Sequence, residues 1–233
     1  MHLDRYLSKY AGLSRKSILR LLHLGQIKVD GKTCFSRDQS VSDFSKIHIE
    51  GQLLELHKPA RYFLMNKPAG ILSATIDSEH KTALELIDEA YRSDLHIAGR
   101  LDRATTGLLI LTNNGKWSRH ITEPEQKIPK TYRVKTQYSI SPETEALFKK
   151  GIYFAYENIT TSPAEIEILT PTLCKLTIYE GRYHQVKRMF SAIGNRVKQL
   201  HRESIGNIVL EEALQPGEYR CLSQKEIDSI WQK

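Results

Sequence analysis

The stretch of this chain whose residue types could do chemistry runs Gly99-Arg100-Leu101-Asp102-Arg103-Ala104-Thr105-Thr106-Gly107-Leu108-Leu109-Ile110-Leu111-Thr112. Two glycines bracket a charged loop that passes straight into an apolar strand. Asp102 sits just ahead of that strand, flanked by Arg100 and Arg103. Nearby cations favour the ionised form of a carboxylate, and an ionised carboxylate in a partly dry site is a nucleophile or a general base. The same grouping also arises when an aspartate caps a turn or pairs with an arginine, and composition alone favours that plainer reading. The sequence holds no G-x-G-x-x-G, no G-x-x-x-x-G-K-[ST], no H-E-x-x-H and no C-x-x-C. Its nine histidines are scattered. No metal and no cofactor are expected, so catalysis would fall to side chains alone.

The elements around this loop read as α+β, with strands and helices mixed without a strict βαβ rhythm. Tyr62–Met65 is a strand that runs into the turn Asn66-Lys67-Pro68-Ala69-Gly70, and Leu108–Thr112 is an apolar strand ending at Asn113-Asn114-Gly115. Thr131–Thr136 alternates as a strand should, and Ala164–Leu169 and Leu173–Tyr179 are two more. Ser141-Pro142-Glu143 opens a helix that Gly151 closes. From His184 onward Val186, Met189, Phe190 and Ile193 form one helical face, and Ser223-Gln224-Lys225-Glu226 is a capping box.

The N-terminal quarter has a different character. Residues 1–60 carry 10 Lys/Arg against 6 Asp/Glu, a net of +4 out of the +7 of the 233-residue chain. Leu3, Tyr6, Leu7 and Tyr10 fall at helical spacing; a second helix, capped by Ser14, is expected to bury Ile18, Leu19, Leu21 and Leu22 and to end at Gly25. Arg15, Lys16 and Arg20 crowd its first two turns, where the helix dipole favours acidic residues, so these cations point to phosphate rather than to helix stability. A hairpin follows through Ile27-Lys28-Val29, the turn Asp30-Gly31, and Lys32-Thr33-Cys34-Phe35, with alternation again in Ile47-His48-Ile49. Residues 52–61, with Pro59, read as a linker.

This two-helix-plus-hairpin unit resembles the S4 RNA-binding domain, on Leu3-Asp4-Arg5-Tyr6-Leu7, Ser14-Arg15 and Gly25-Gln26-Ile27-Lys28-Val29-Asp30-Gly31. The resemblance implies an RNA-binding surface made by Arg5, Arg15, Lys16, Arg20 and Lys28. The larger part resembles the pseudouridine synthases of the small-subunit and large-subunit rRNA group. Three motifs carry that likeness in order: Gly99-Arg100-Leu101-Asp102 with Thr106-Gly107-Leu108-Leu109, then Lys130-Thr131-Tyr132-Arg133-Val134, then Glu180-Gly181-Arg182-Tyr183-His184-Gln185-Val186-Lys187-Arg188-Met189. Asn66-Lys67-Pro68 matches the leading strand. The family implies that Asp102 is the catalytic aspartate, that Tyr132 stacks on the target base and moves a proton, and that Lys187 is the basic partner of Asp102. Many relatives have arginine at the latter position, and a lysine gives up bidentate pairing. Leu200 would pack on the uracil, Leu101 would be a further substrate-binding residue, and Arg100, Arg103 and Arg182 would contact phosphate or sugar.

The implied organisation is an S4-like domain over 1–58 and a catalytic domain over 59–233 built on a mixed, mainly antiparallel sheet flanked by helices. His184-Gln185-Val186-Lys187-Arg188-Met189 and Leu200-His201-Arg202-Glu203 look most like the branch acting on small-subunit RNA, implying uridine 516 of 16S rRNA within an assembling subunit. Three scattered cysteines and the lack of a long apolar run fit a cytoplasmic protein, expected to be monomeric and free of membranes. A synthase acting on 23S rRNA, a non-catalytic assembly factor and a methyltransferase are the competing readings; the missing glycine-rich loop opposes the last.

Overall fold

The computed structural model describes residues 1–42, 44–54 and 59–231. The chain folds as two compact units, Met1–Ala60 and Arg61–Lys233. A boundary at 58 lies outside the described residues.

The first unit contains α1 (Leu3–Ala11), α2 (Arg15–His23), β1 (Ile27–Val29), β2 (Lys32–Thr33), β3 (Ile47–Ile49) and β4 (Gln52–Leu53). Its four-stranded sheet runs β2-β1-β3-β4, all antiparallel. Asp30 and Gly31 both take positive φ, 50° and 81°, which a two-residue hairpin turn requires. The Ser14 side chain caps α2 by accepting from the Ser17 N–H. Leu3, Tyr6 and Leu7 of α1 meet Ile18 and Leu22 of α2 in a core of their own. Leu19 is exposed, contrary to expectation. Ile18 and Leu22, four residues apart, fix the buried stripe, and Leu19 lies a further 100° round the helix. The linker expected at 52–61 also needs correcting, because Gln52 and Leu53 pair with Ile49 and His48 as an edge strand.

The second unit contains β5 (Tyr62–Lys67), α3 (Glu89–Arg92), β6 (His96–Ala98), β7 (Thr106–Thr112), α4 (Gly115–Thr122), β8 (Lys130–Thr136), α5 (Glu143–Lys150), β9 (Tyr153–Phe154), β10 (Ile159–Thr160), β11 (Glu165–Thr170), β12 (Leu173–Ile178), α6 (Gln185–Ala192), β13 (Val197–Ile205), β14 (Ile208–Val209), β15 (Tyr219–Cys221) and α7 (Gln224–Ser229). A nine-stranded sheet runs β11-β12-β8-β13-β7-β5-β15, with β14 on β13 and β6 on β7. Among the named strands of the described residues only the β13–β7 pairing is parallel, so the α+β architecture with a mixed, mainly antiparallel sheet is as expected. Strand β7 alternates between two cores: Leu109 and Leu111 pack with Tyr132, Val186, Met189 and Phe190, while Leu108 and Ile110 pack with Trp117 and Ile121. Burying both faces explains why β7 reads as an unbroken apolar run. Helix α5 starts at Glu143 with Pro142 at its N-cap, one residue later than expected, and α6 starts at Gln185.

Strand register sets the site. Tyr132 of β8 lies directly opposite Arg202 of β13, and Val134 opposite Leu200. Lys130 is two residues from Tyr132, and Leu200 two from Arg202, so these four side chains share one face of the sheet.

Candidate active site

A cleft of about 360 Å³ opens over that face, lined among others by Asp102, Lys130, Tyr132, Lys187, Leu200 and Arg202. Its size falls in the range of small-ligand sites.

The loop carrying Asp102 is nailed down from several sides. Gly99 takes φ +84°, and its carbonyl accepts from Arg202 Nη2 at 2.8 Å. The Leu101 N–H donates to Ser73 Oγ, and the Thr105 N–H closes a turn onto the Asp102 carbonyl at 3.0 Å. Lys67, fully buried at the end of β5, donates its ammonium to the carbonyls of Pro68, Arg103 and Thr105 at 2.9, 3.3 and 2.9 Å. Burial pushes the Lys67 ammonium down to about 8; the negative charge of Asp102 resists this and Arg202 reinforces it. Gly107 sets the depth of the loop's far end. A Cβ there would stand 2.3 Å from the Arg202 carbonyl oxygen, so only glycine lets β7 and β13 meet so closely.

Asp102 is gripped at both oxygens. Lys187 Nζ donates to Oδ2 at 2.6 Å, and His184 Nε2 lies 3.2 Å from Oδ1. His184 and Lys187 are three residues apart at the start of α6 and so point the same way. Arg188, one residue on, turns aside to pair with Glu157 and lie over the Phe154 ring. The start of α6 is itself held by the buried Glu180, which accepts from Gln185 Nε2 at 2.8 Å and from Arg182 Nε at 3.0 Å. His184 begins the helix in the left-handed region, at φ 50°.

Tyr132 is buried, with its hydroxyl 3.5 Å from Arg202 Nη1. Arg202 is 2 % exposed, and its Nε donates to the Leu108 carbonyl at 2.8 Å. Beside it Lys130 is 5 % exposed and donates to the Ile128 carbonyl; burial, aided by the neighbouring Arg202, pushes its ammonium down to about 8. The structure thus brings Asp102, Tyr132, Lys187, Arg100, Leu101, Arg182 and Leu200 to one cleft. It does not bring Arg103 there: that side chain is exposed and donates to the Gly70 carbonyl. In the first unit Arg5, Arg15, Lys16, Arg20 and Lys28 are all exposed. Among the described residues no cluster of three or more His, Cys, Asp or Glu side chains is positioned to hold a metal ion.

Sequence reasoning missed His184, Arg202, Lys67 and Lys130. Arg202 and Lys130 carried one signal, their two-residue spacing from Leu200 and Tyr132. It becomes informative only once the β8–β13 register is known.

The site thus sets one aspartate, between the mixed sheet and the start of α6, in the grip of two basic side chains. A family described as RNA pseudouridylate synthase matches residues 61–192. The chain is 44 % identical over 230 residues to ribosomal small subunit pseudouridine synthase A of Pseudomonas aeruginosa, covering 99 % of this chain and all of that protein. It is 45 % identical to the protein of the same name from Vibrio cholerae, and 42 % to that from Escherichia coli K12, with the same coverage. A solved structure described as a pseudouridylate synthase superposes with a TM-score of 0.73 at 39 % identity, covering 99 % of both chains. The chain belongs to the RNA pseudouridylate synthase family, and it is an enzyme of the isomerase type.

Proposed function

We propose that this protein converts one uridine of small-subunit ribosomal RNA to pseudouridine, uridine 516 of 16S RNA being the target that the resemblance implies. The observation that carries this reading is Asp102, the one carboxylate among the described residues of the cleft lining, held at both oxygens by His184 and Lys187. The names and full-length similarity of the relatives support the RNA class and the subunit.

The uridine leaves its helix and enters the cleft, at a cost of a few kcal/mol. Tyr132 and Leu200 receive the flat base. Asp102 then acts at the sugar or the base: attack at C1′, addition at C6 and removal of the C2′ proton are all compatible with one fixed carboxylate. The N1–C1′ bond breaks, the base turns, C5 bonds to C1′, and the C5 proton leaves with help from the Tyr132 hydroxyl or water. Arg100 and Arg182 at the cleft rim contact sugar and phosphate. The flanking strand runs along an adjoining groove lined by Lys187, Arg196 and Lys198. The first unit acts as the S4-like RNA anchor through Arg5, Arg15, Lys16, Arg20 and Lys28. The enzyme works in the cytoplasm as a monomer, on an assembling small subunit.

The test is tritium release from small-subunit RNA labelled at uridine C5, with no added cofactor. The wild-type chain is expected to release it. Asp102→Asn keeps shape and RNA affinity but removes the nucleophilic charge, and is expected to lower the rate at least ~10³-fold. Residual turnover within about tenfold of wild type would refute the role of Asp102.

A further inference from the structure

Two cations of the cleft lining, Lys187 and Arg182, have carboxylate partners, whereas three more deeply buried cations in or just behind the cleft have none among the described residues. Lys187 pairs with Asp102. Among the described residues Lys67, Lys130 and Arg202 form no ion pair, although none is more than 5 % exposed. Buried charge without a counter-charge is costly, and such groups normally pair or lose their charge. Here backbone carbonyls stand in: three for Lys67, one for Lys130, two for Arg202. Lys67 spends its three donors behind the loop, which makes it structural. Lys130 and Arg202 differ, because both line the cleft and both have N–H groups to spare. Arg202 has five N–H donors. Two go to carbonyls and one lies at 3.5 Å from the Tyr132 hydroxyl. Thr105 also lines the cleft, and among the described residues its buried hydroxyl has no hydrogen-bond partner.

We infer that Lys130 and Arg202 form an anion-stabilising site for the uracil during isomerisation, contacting the base oxygens on which negative charge develops. The inference rests on the proposed reaction. When the N1–C1′ bond breaks, its electron pair stays on N1 and spreads to O2 and O4; when a nucleophile adds at C6, the charge moves to C5 and O4. Every route open to Asp102 therefore places negative charge on the ring. The base lies against Tyr132, which neighbours Lys130 along β8 and Arg202 across to β13 on the same sheet face. Fixed donors in a water-poor cleft, aimed where charge appears, stabilise a transition state without reorganising. Burial first, and repulsion from Arg202 second, lower the Lys130 ammonium, and an anion forming beside the two cations offsets both. No atom is transferred to either side chain, and the C5 proton still leaves by Tyr132 or water.

The experiment varies how much help the leaving base needs. Loss of intact N-glycoside is followed under single-turnover conditions, at saturating RNA, with uridine or 5-fluorouridine at the target. Fluorine withdraws electrons and makes the ring a better anion by itself. Lys130→Met and Arg202→Lys are compared with wild type, and thermal unfolding checks each fold. Arg202 also braces the loop, so if Arg202→Lys is misfolded, Lys130→Met decides alone. The expected result is a loss of about 10²-fold on uridine that shrinks to about tenfold or less on 5-fluorouridine. An equal loss on both substrates, or no loss on uridine, overturns the inference. A wild-type chain that leaves uridine RNA unchanged overturns the proposed function instead.

Discussion

Two regions of this molecule spend positive charge in opposite ways. In the first unit Arg5, Arg15, Lys16, Arg20 and Lys28 stand in water on short helices and a hairpin. In the second, Lys67 behind the loop and Lys130 and Arg202 in the cleft wall are buried and held by carbonyl oxygens. Exposed cations are almost free of desolvation, are screened by salt, and act over several ångströms without fixed geometry. Buried cations carry a desolvation penalty, keep one geometry, and escape screening. The first arrangement suits a long polyanion whose sequence does not matter. The second suits one ring of atoms whose charge changes during a reaction.

The largest expected effect belongs to the buried side. In the proposed mechanism Tyr132→Phe keeps the ring that receives the base and deletes the hydroxyl next to Arg202. RNA affinity should stay within about twofold, whereas single-turnover product formation should fall roughly 10²-fold or more. Full activity in the Phe variant would remove the hydroxyl from the chemistry. Gly107→Ala attacks the same region from behind. Its new Cβ would meet Arg202 backbone atoms at 2.3 and 2.7 Å, at φ +100°. A destabilisation of about 3 kcal/mol in urea unfolding is expected, with lost activity in the folded fraction. Unchanged stability would mean that β7 and β13 can separate cheaply.

The desolvation penalty itself can be measured. Lys130 titrates near 8 in the folded protein and near 10.5 unfolded. Between those values the unfolded chain binds more protons, so stability rises with pH; below about 8 both forms are protonated and the penalty is fully present. Unfolding free energy, as wild type minus Lys130→Met, should rise across pH 8 to 10.5 by roughly 1.4 kcal/mol per pH unit at most. A difference that stays flat over that window would show that the ammonium is better solvated than its burial implies.

Legibility in the sequence followed the range of the forces. Local signals came through: the Ser14 cap, the Asp30-Gly31 turn, the Ser223–Glu226 capping box and the alternation of β8 all match the structure. The strands around Asp102 were legible because β7 is apolar on both faces. The resemblance singled out Lys187 rather than Arg188, and the 100° step between them on α6 explains the difference. What could not be read were facts of register and depth. Arg202 opposite Tyr132, Lys67 reaching back to three carbonyls, and His184 turned onto Asp102 all join residues distant in sequence, or depend on one left-handed backbone step. Leu19 faces water although it is apolar, because residue type marks an apolar side chain without saying which way it points.

The smallest effect tests the exposed side of the comparison. Arg15, Lys16 and Arg20 lie on α2, with Arg15 and Lys16 in its first turn, where no acidic residue offsets them. None of the three forms an ion pair among the described residues, so replacing all of them by alanine breaks no internal partnership. Stability should change by no more than about 0.5 kcal/mol, as at ordinary surface sites. Each phosphate contact releases counterions, and three lost contacts should make the plot of log affinity against log salt shallower by roughly 2. At low salt the triple variant should bind RNA more weakly, and at high salt the two curves should converge. The single-turnover rate at saturating RNA should match wild type, because Asp102, Tyr132 and Lys187 are untouched. An unchanged salt slope would place the phosphate contacts elsewhere, with the Arg196 and Lys198 groove the next candidate. A collapsed saturated rate would break the comparison from the other direction, since the exposed cations would then be helping to build the site rather than only to hold RNA near it.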